Sequence, residues 1–321
     1  MNCSELLRMA PSILTEGAVI ERLRRNSAFQ LDPAVLNTAL LRSAQGRAAL
    51  GSLYREYLDV GAQYGLPMMV FTPTWRANPE RLAMAGMGAV RQVSTDAFTF
   101  LDGIRNEYGS YAEKVPIGGL LGCRGDAYRA GDALAELEAT VFHHEQAGAL
   151  AETGVDFLFA ATLPALTEAV GIARAMAHTG KPYSVSFIVR RSGRLLDGTP
   201  LADAMRTIDR AVVPPPVFYM INCVHPAVFE EAMGADEGLR AGFAGRLAGL
   251  QANTSARSPE ELDGLMDLDQ EDPAFFADRM MHARQRFGLR ILGGCCGTDA
   301  RHIAGVAARM AAMKRSEDES N

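Results

Sequence analysis

The sequence predicts a single (β/α)8 barrel, on the strength of one recurring unit and one count. The unit is a helical segment that ends in glycine and passes at once into a short apolar run. The count is eight apolar runs within a chain of 321 residues, enough for the ~250 or more residues that eight strand–helix units occupy. A doubly wound open sheet is the competing architecture, and the number of units favours the barrel.

The first run is Ser12–Glu16, and the second follows Gly65 in "REYLDVGAQYGLPMMVFTPT". Val115–Gly119 is the third, and the fourth follows Gly154 in "EQAGALAETGVDFLFAATLP". The fifth follows Gly180 in "IARAMAHTGKPYSVSFIV". The sixth, Pro216–Ile221, is entered through the stiff lead-in "VVPPPVF". Leu247–Ala252 is the seventh, and the eighth follows Gly288 in "MMHARQRFGLRILGGCCG". Gly65, Gly154, Gly180 and Gly288 stand where a helix takes a left-handed C-terminal cap. The runs are too short for helices and apolar on both faces, as strands of a helix-covered parallel sheet are. No linker or shift of composition divides the chain. Residues 1–312 are therefore read as one barrel domain, and residues 313–321 as a polar tail expected to be disordered.

Composition narrows the function. The chain is 48% hydrophobic and 22% charged, with a net charge of −6. An acidic balance without a basic run or basic–aromatic cluster speaks against a nucleic-acid partner. No apolar stretch approaches the ~20 residues of a membrane helix, and "MNCSELLRMAPS" does not read as a secretory signal. A cytoplasmic location is expected, and homo-oligomer formation is left open. The five cysteines, Cys3, Cys123, Cys223, Cys295 and Cys296, are then expected to be thiols or metal ligands rather than disulfides.

Three of them carry the chemistry. Cys295 and Cys296 directly follow the eighth run, in "LRILGGCCGT", and Cys223 directly follows the sixth, in "FYMINCVHP". In a barrel both places lie at the C-terminal rim, where active sites of this fold are built. Gly293, Gly294 and Gly297 give the turn the backbone freedom to bring two adjacent sulfurs together. Zinc suits a cup of three thiolates, and three protein ligands leave one position open for catalysis. A substrate thiol entering that position is deprotonated and becomes a nucleophile at neutral pH. A vicinal disulfide and buried inert thiols are the competing readings of the same residues.

"GGCCGT" at Gly293–Thr298 and "INCVHP" at Ile221–Pro226 resemble the two cysteine segments of the homocysteine S-methyltransferase family. The resemblance extends from about Ile13 to Met310. It includes "TPTWRAN" at Thr72–Asn78, "GGLLGCRG" at Gly118–Gly125, "HHEQAGALAETGVDFL" and "QANTS". It implies a (β/α)8 barrel that binds Zn2+ through Cys223, Cys295 and Cys296. It also implies methyl transfer from a small sulfonium or quaternary ammonium donor to a thiol, by default homocysteine, giving methionine. Asn253 matches an asparagine near the metal, which in some members fills the fourth position before substrate arrives. Thr74 falls in the segment that helps hold the amino acid, and Glu16 aligns with an aspartate that contacts the substrate ammonium.

The sequence departs from the family at that ammonium. The family's "ETIP" reads "ATLP" here, so a second ammonium-pairing carboxylate is replaced by Ala161. Ile20 and Glu21 replace the family's Gly-Thr, and Pro73 replaces the polar residue of its "TNT". Two alternatives follow: methyl transfer to a thiol without an amino group, and a non-catalytic protein that binds zinc or a ligand. Trp75 is a candidate for stacking on an onium donor, with core packing as the equal alternative. His143 and His144, on a helix, are expected to serve the surface or helix packing. His225 is expected to be a rim-exposed side chain, with a supporting role beside the metal as the alternative; His302 is given a structural role, Cys123 is not counted as a ligand, and Cys3 is read as a bystander.

Overall fold

The structure is a computed structural model, and it describes residues 5–6, 10–235, 245–257 and 270–319, with side chains described as far as residue 313. Cys3 lies outside them. Eight parallel strands close into one barrel in chain order. They are β1 (Ile13–Thr15), β2 (Met68–Phe71), β3 (Ile117–Leu121), β4 (Phe157–Leu163), β5 (Tyr183–Phe187), β6 (Tyr219–Val224), β7 (Leu247–Ala252) and β8 (Ile291–Gly294). Closure is made by β1 against β8, with Ile13 opposite Ile291.

β1 begins one residue later than the sequence pattern suggests, and β3 and β6 begin two or more later, after Pro116 and Pro216. A proline has no N–H for a ladder bond, so each marks the approach to its strand rather than a paired position. The double-sided apolarity of the runs has a direct cause. In β4, Phe157, Phe159 and Ala161 join the barrel interior with Met69, Phe71 and Met220. Leu158 and Ala160 instead join the layer beneath the helices. Successive side chains of a strand point to opposite faces, and in a barrel both faces are dry. Inside, the Phe71 and Phe159 rings stack with centroids 4.7 Å apart.

Three of the four glycine caps are left-handed, with φ of 64° at Gly65, 73° at Gly180 and 68° at Gly288. Gly154 is not. A Cβ there would collide with the Phe98 ring, so close approach rather than torsion requires glycine. The last helix runs Ala300–Glu319, so the backbone is helical along most of the segment read from sequence as a disordered tail. Among the described residues no helix is long and apolar enough to cross a membrane.

His143, His144 and His302 have the structural surroundings expected of them, whereas His225, expected to be exposed at the rim, is buried. His144 is exposed and His143 is fully buried. His143 Nε2 lies 2.9 Å from Glu168 Oε1, and the same carboxylate accepts the Arg124 N–H at 2.7 Å. That pair fastens the loop after β3 to the helix Leu166–Ala177. His302 lies between Asp299 and the Glu271 carbonyl oxygen, and His225 Nε2 lies 3.1 Å from Glu271 Oε2.

Candidate active site

The strand ends position the three cysteines. On β7, Ala252 pairs with Val224 of β6 on one side and with Gly294 of β8 on the other. Cys223 and Cys295, the chain neighbours of those partners, thus flank a single residue. Backbones two strands apart are separated by roughly 10 Å, so the side chains have to be turned toward each other. Cys223 lies within β6, not after it, at an irregularity in the pairing with β7. Its φ is +57°, a left-handed conformation that costs about 1–3 kcal/mol for a residue with a Cβ. The Cys295 N–H is held by the Ala252 carbonyl at 2.7 Å.

The result is a cluster in which all three sulfurs lie within 4.8 Å of one another, and Cys223 Sγ is 2.7 Å from Cys295 Sγ. Hydrogen bonds from Cys295, Cys296, Tyr128 and Thr162 outweigh burial and pull the Cys223 thiol well below its ordinary range. Hydrogen bonding with Cys223 and Cys296, followed by desolvation, holds the partly buried Cys295 thiol well above its ordinary range. Cys296 is pushed up to about 12, with its bond to Cys223 as the largest cause. Three crowded sulfurs share one negative charge among them far more easily than three.

The glycines of the loop act in two ways. Gly297 adopts φ +83° and supplies the turn. Gly293 and Gly294 have no such torsion; a Cβ on them would collide with Thr15 and Thr298. The loop is also braced from a distance. Thr298 Oγ1 donates to the Cys295 carbonyl at 2.7 Å and accepts the Ala18 N–H at 3.1 Å. Glu21 accepts the Gly297 N–H at 2.7 Å and pairs with Arg25. The Glu21 departure from the family pattern is thus a carboxylate clamp on the cysteine loop. Glu21→Ala is expected to cost about 1.5–3 kcal/mol of stability and to weaken metal affinity by roughly 10–100-fold. Thermal unfolding and competition with a chelator measure the two effects.

The cysteines form one wall of a cavity of about 470 Å3 at this rim. Glu16, Trp75 and Ala161 line it with them; Thr74 and Asn253 are not among its lining residues. The Thr74 hydroxyl is fully buried, donating to the Leu120 carbonyl at 2.7 Å and lying 2.7 Å from Thr72 Oγ1. Asn253 is buried beside the cysteines along the backbone, and its Oδ1 has no hydrogen-bond partner. Trp75 is half-buried, with its indole N–H on the Ala161 carbonyl at 3.3 Å, and the Arg76 guanidinium stands 4.3 Å from its ring centre. Cys123 is buried away from the cluster, where desolvation pushes its thiol up to about 12.

Glu16 is the buried acid of the cavity. Its Oε2 accepts the Phe71 N–H at 2.9 Å, yet burial outweighs that bond and raises its carboxyl to about 8. It is therefore a neutral acid over most of the physiological range.

Sequence reasoning missed the clamp behind Ala161. Thr162 has φ +62°, an outlier for a β-branched residue. Its N–H reaches Asn222 Oδ1 at 3.0 Å, and Asn222 Nδ2 returns a bond to its hydroxyl at 2.5 Å. Ser186 also donates to Asn222, at 2.6 Å. The one signal in the sequence was adjacency, since Asn222 precedes Cys223 and Thr162 follows Ala161.

Fold and site together define a barrel enzyme whose rim cavity is walled by a thiol cluster able to hold a metal ion. The homocysteine S-methyltransferase family pattern matches residues 13–310. The chain belongs to that family and is an S-methyltransferase. It is 25% identical to the homocysteine S-methyltransferase YbgG of Bacillus subtilis, over 96% of this chain and 98% of that one. It is 26% identical to the homocysteine S-methyltransferase of Escherichia coli, over 95% and 97%. Among solved structures it is similar to the homocysteine methyltransferase MmuM of Escherichia coli in its oxidised form, with a TM-score of 0.73 and 24% identity over 96% of this chain and all of that one. The metallated form of the same protein gives 0.72, with 22% identity over 95% and 98%. These two likenesses bear on the fold alone.

Proposed function

We propose that this chain catalyses zinc-dependent methyl transfer from a small sulfonium or quaternary ammonium donor to a thiol held in the rim cavity. The observation that carries this reading is the convergence of Cys223, Cys295 and Cys296 on one point of that cavity. The donor set fits the ion. Tetrahedral zinc with bonds of ~2.3 Å spans ~3.8 Å between sulfurs; the three sulfurs here lie within 4.8 Å of one another, and the Cys223–Cys295 pair, at 2.7 Å, opens by about 1 Å to take the ion. The unpartnered Asn253 Oδ1 beside them supports a further ligand from this chain. When bound, the ion would supply acidity, holding the acceptor thiol as a thiolate at neutral pH.

The chain's own residues do the rest. Glu16 stands ready to face an acceptor amine, and Trp75 fills the wall between β2 and β4. The acceptor sulfur forms the new S–C bond as the donor's C–S or C–N bond breaks, and the bonding pair stays on the donor heteroatom. Positive charge on the donor disappears in that step, so a dry cavity favours the transition state over the charged ground state.

The default acceptor is homocysteine. Ala161 favours a second reading, in which the acceptor has no amino group. A methyl group cannot pair with an ammonium ion, and one buried carboxylate in place of two costs on the order of a few kcal/mol. A panel of thiols and onium donors, read by mass spectrometry, tests both readings. Methylated homocysteine in large excess over amine-free products supports the default, and the reverse supports the second reading. Turnover in verified metal-free protein would overturn the mechanism. Thiols kept reduced for this chemistry fit the cytoplasm.

A further inference from the structure

The end of the cavity near the loop after β3 carries charge that the methyl-transfer reading does not use. Arg76 and Arg81 both line the cavity. Arg76 is only 9% exposed, and its Nη1 bonds to the carbonyl oxygens of Cys123 and Gly125. Its Nε and Nη2 have no partner among the described residues. Arg81 donates to the carbonyl oxygens of Ala34, at 3.2 Å, and Arg124, at 3.1 Å. Burial and the neighbouring Arg76 charge lower its basicity.

Neither guanidinium has a carboxylate partner among the described residues. The acids nearby are committed elsewhere. Glu80 pairs with Arg124 at 2.9 Å, and Asp126 accepts the Tyr128 N–H at 2.9 Å and lies 3.8 Å from Arg129. Two like charges held together and partly dehydrated, bonded to carbonyl oxygens and balanced only by the Trp75 ring under Arg76 and by the more distant fields of Glu80 and Asp126, are an expensive arrangement. An anion from outside the chain relieves it. The free Nε–Nη2 edge of Arg76 is the planar fork that grips a carboxylate through two parallel bonds.

We infer that Arg76, supported by Arg81, is a carboxylate-binding subsite that selects an anionic substrate for this cavity. The substrate class that fits both ends is a thiol acid without an amino group. Its sulfur lies toward the cysteines, its carboxylate toward Arg76, and no ammonium is needed beside Glu16 and Ala161. The methyl donor is the other possible source of the carboxylate. Identification of the anion as a substrate group rests on the methyl-transfer reading; the subsite itself does not.

The test uses Trp75, the single tryptophan of the chain, whose ring lies beside the Arg76 guanidinium. Its fluorescence, checked by calorimetry, reports binding without turnover. Two matched pairs serve as probes: 3-mercaptopropionate against 3-mercaptopropan-1-ol for the acceptor, and glycine betaine against choline for the donor. In at least one pair the acid is expected to bind about tenfold or more tightly than the alcohol. Arg76→Gln is expected to abolish that preference while leaving affinity for the alcohol unchanged, and Arg76→Lys to keep part of it. The pair that responds shows which substrate carries the carboxylate.

Equal binding of acid and alcohol in both pairs overturns the proposal on the unmodified protein, even if a variant fails to fold. So does an Arg76→Gln protein that folds and keeps the preference. A carboxylate preference in a protein that methylates no thiol would sink the methyl-transfer reading alone. Methyl transfer indifferent to the carboxylate would sink the subsite alone.

Discussion

Cys296→Ser is expected to empty the metal site and abolish turnover together. A serine hydroxyl at this position is a harder donor with a far higher pKa than a thiol, and borderline-soft zinc discriminates against it. Loss of a group that merely orients a ligand costs roughly 10–100-fold in metal affinity, so loss of a ligand itself should exceed the upper end of that range. Bound metal should fall from one ion per chain to a trace by elemental analysis, with methyl transfer below detection. The fold should survive, because Cys296 is only partly buried and the loop keeps its bonds from Thr298 and Glu21. Unchanged circular dichroism with no metal is the expected combination. Retained metal with retained activity would remove Cys296 from the site.

The second large effect is a pH dependence that differs between acceptors. Burial raises the Glu16 carboxyl from 4.5 to about 8. Pairing with an ammonium ion needs the carboxylate, so below pH 8 homocysteine binding is linked to loss of a proton. This step alone should weaken its affinity by up to about tenfold for each pH unit below 8, in addition to the loss of the thiol proton that any acceptor undergoes at the metal. An amine-free thiol should keep only the limb set by loss of its own thiol proton at the metal, and Glu16→Gln should reduce the homocysteine profile to that shallower slope. Stability gives an independent readout. Between pH 4.5 and 8 the folded protein holds a proton that the unfolded chain has released. The Glu16 contribution therefore falls as pH rises through this window and is fully lost above 8. Glu16→Gln is then expected to stabilise the substrate-free protein at pH 8–9 and to change it little at pH 5. Chemical denaturation at the two pH values checks the sign.

Much of the fold was legible because strand burial in a closed barrel leaves a local mark. Both faces of "FLFAATL" are dry, and that shows in the residues themselves without knowledge of their partners. Left-handed helix ends are local too, which is why Gly65, Gly180 and Gly288 were readable. Gly154 was misread because its constraint is a ring from another helix, Phe98, far away in sequence. The same divide runs through the site. Cys223, Cys295 and Cys296 stood out by residue type and by position after strands. Thr74 looked like a rim residue, yet its hydroxyl is spent on β3. Arg76 and Tyr128 gave no sign of lining the cavity, since nothing in their neighbourhoods distinguishes them from surface residues.

The sequence by itself determined the repeating strand–helix order, the rim position of the cysteines and the alanine at position 161, where the family resemblance implies a carboxylate. Each follows from short-range pattern or from the identity of one side chain. Only the tertiary structure decided that Cys223 and Cys295 meet, because that depends on the register of β6, β7 and β8 about Ala252 and on a left-handed torsion at Cys223. It also decided that Glu16 is protonated and Arg76 unmatched. Charge state in a cavity is set by what surrounds a group in space, and chain order carries little of that information.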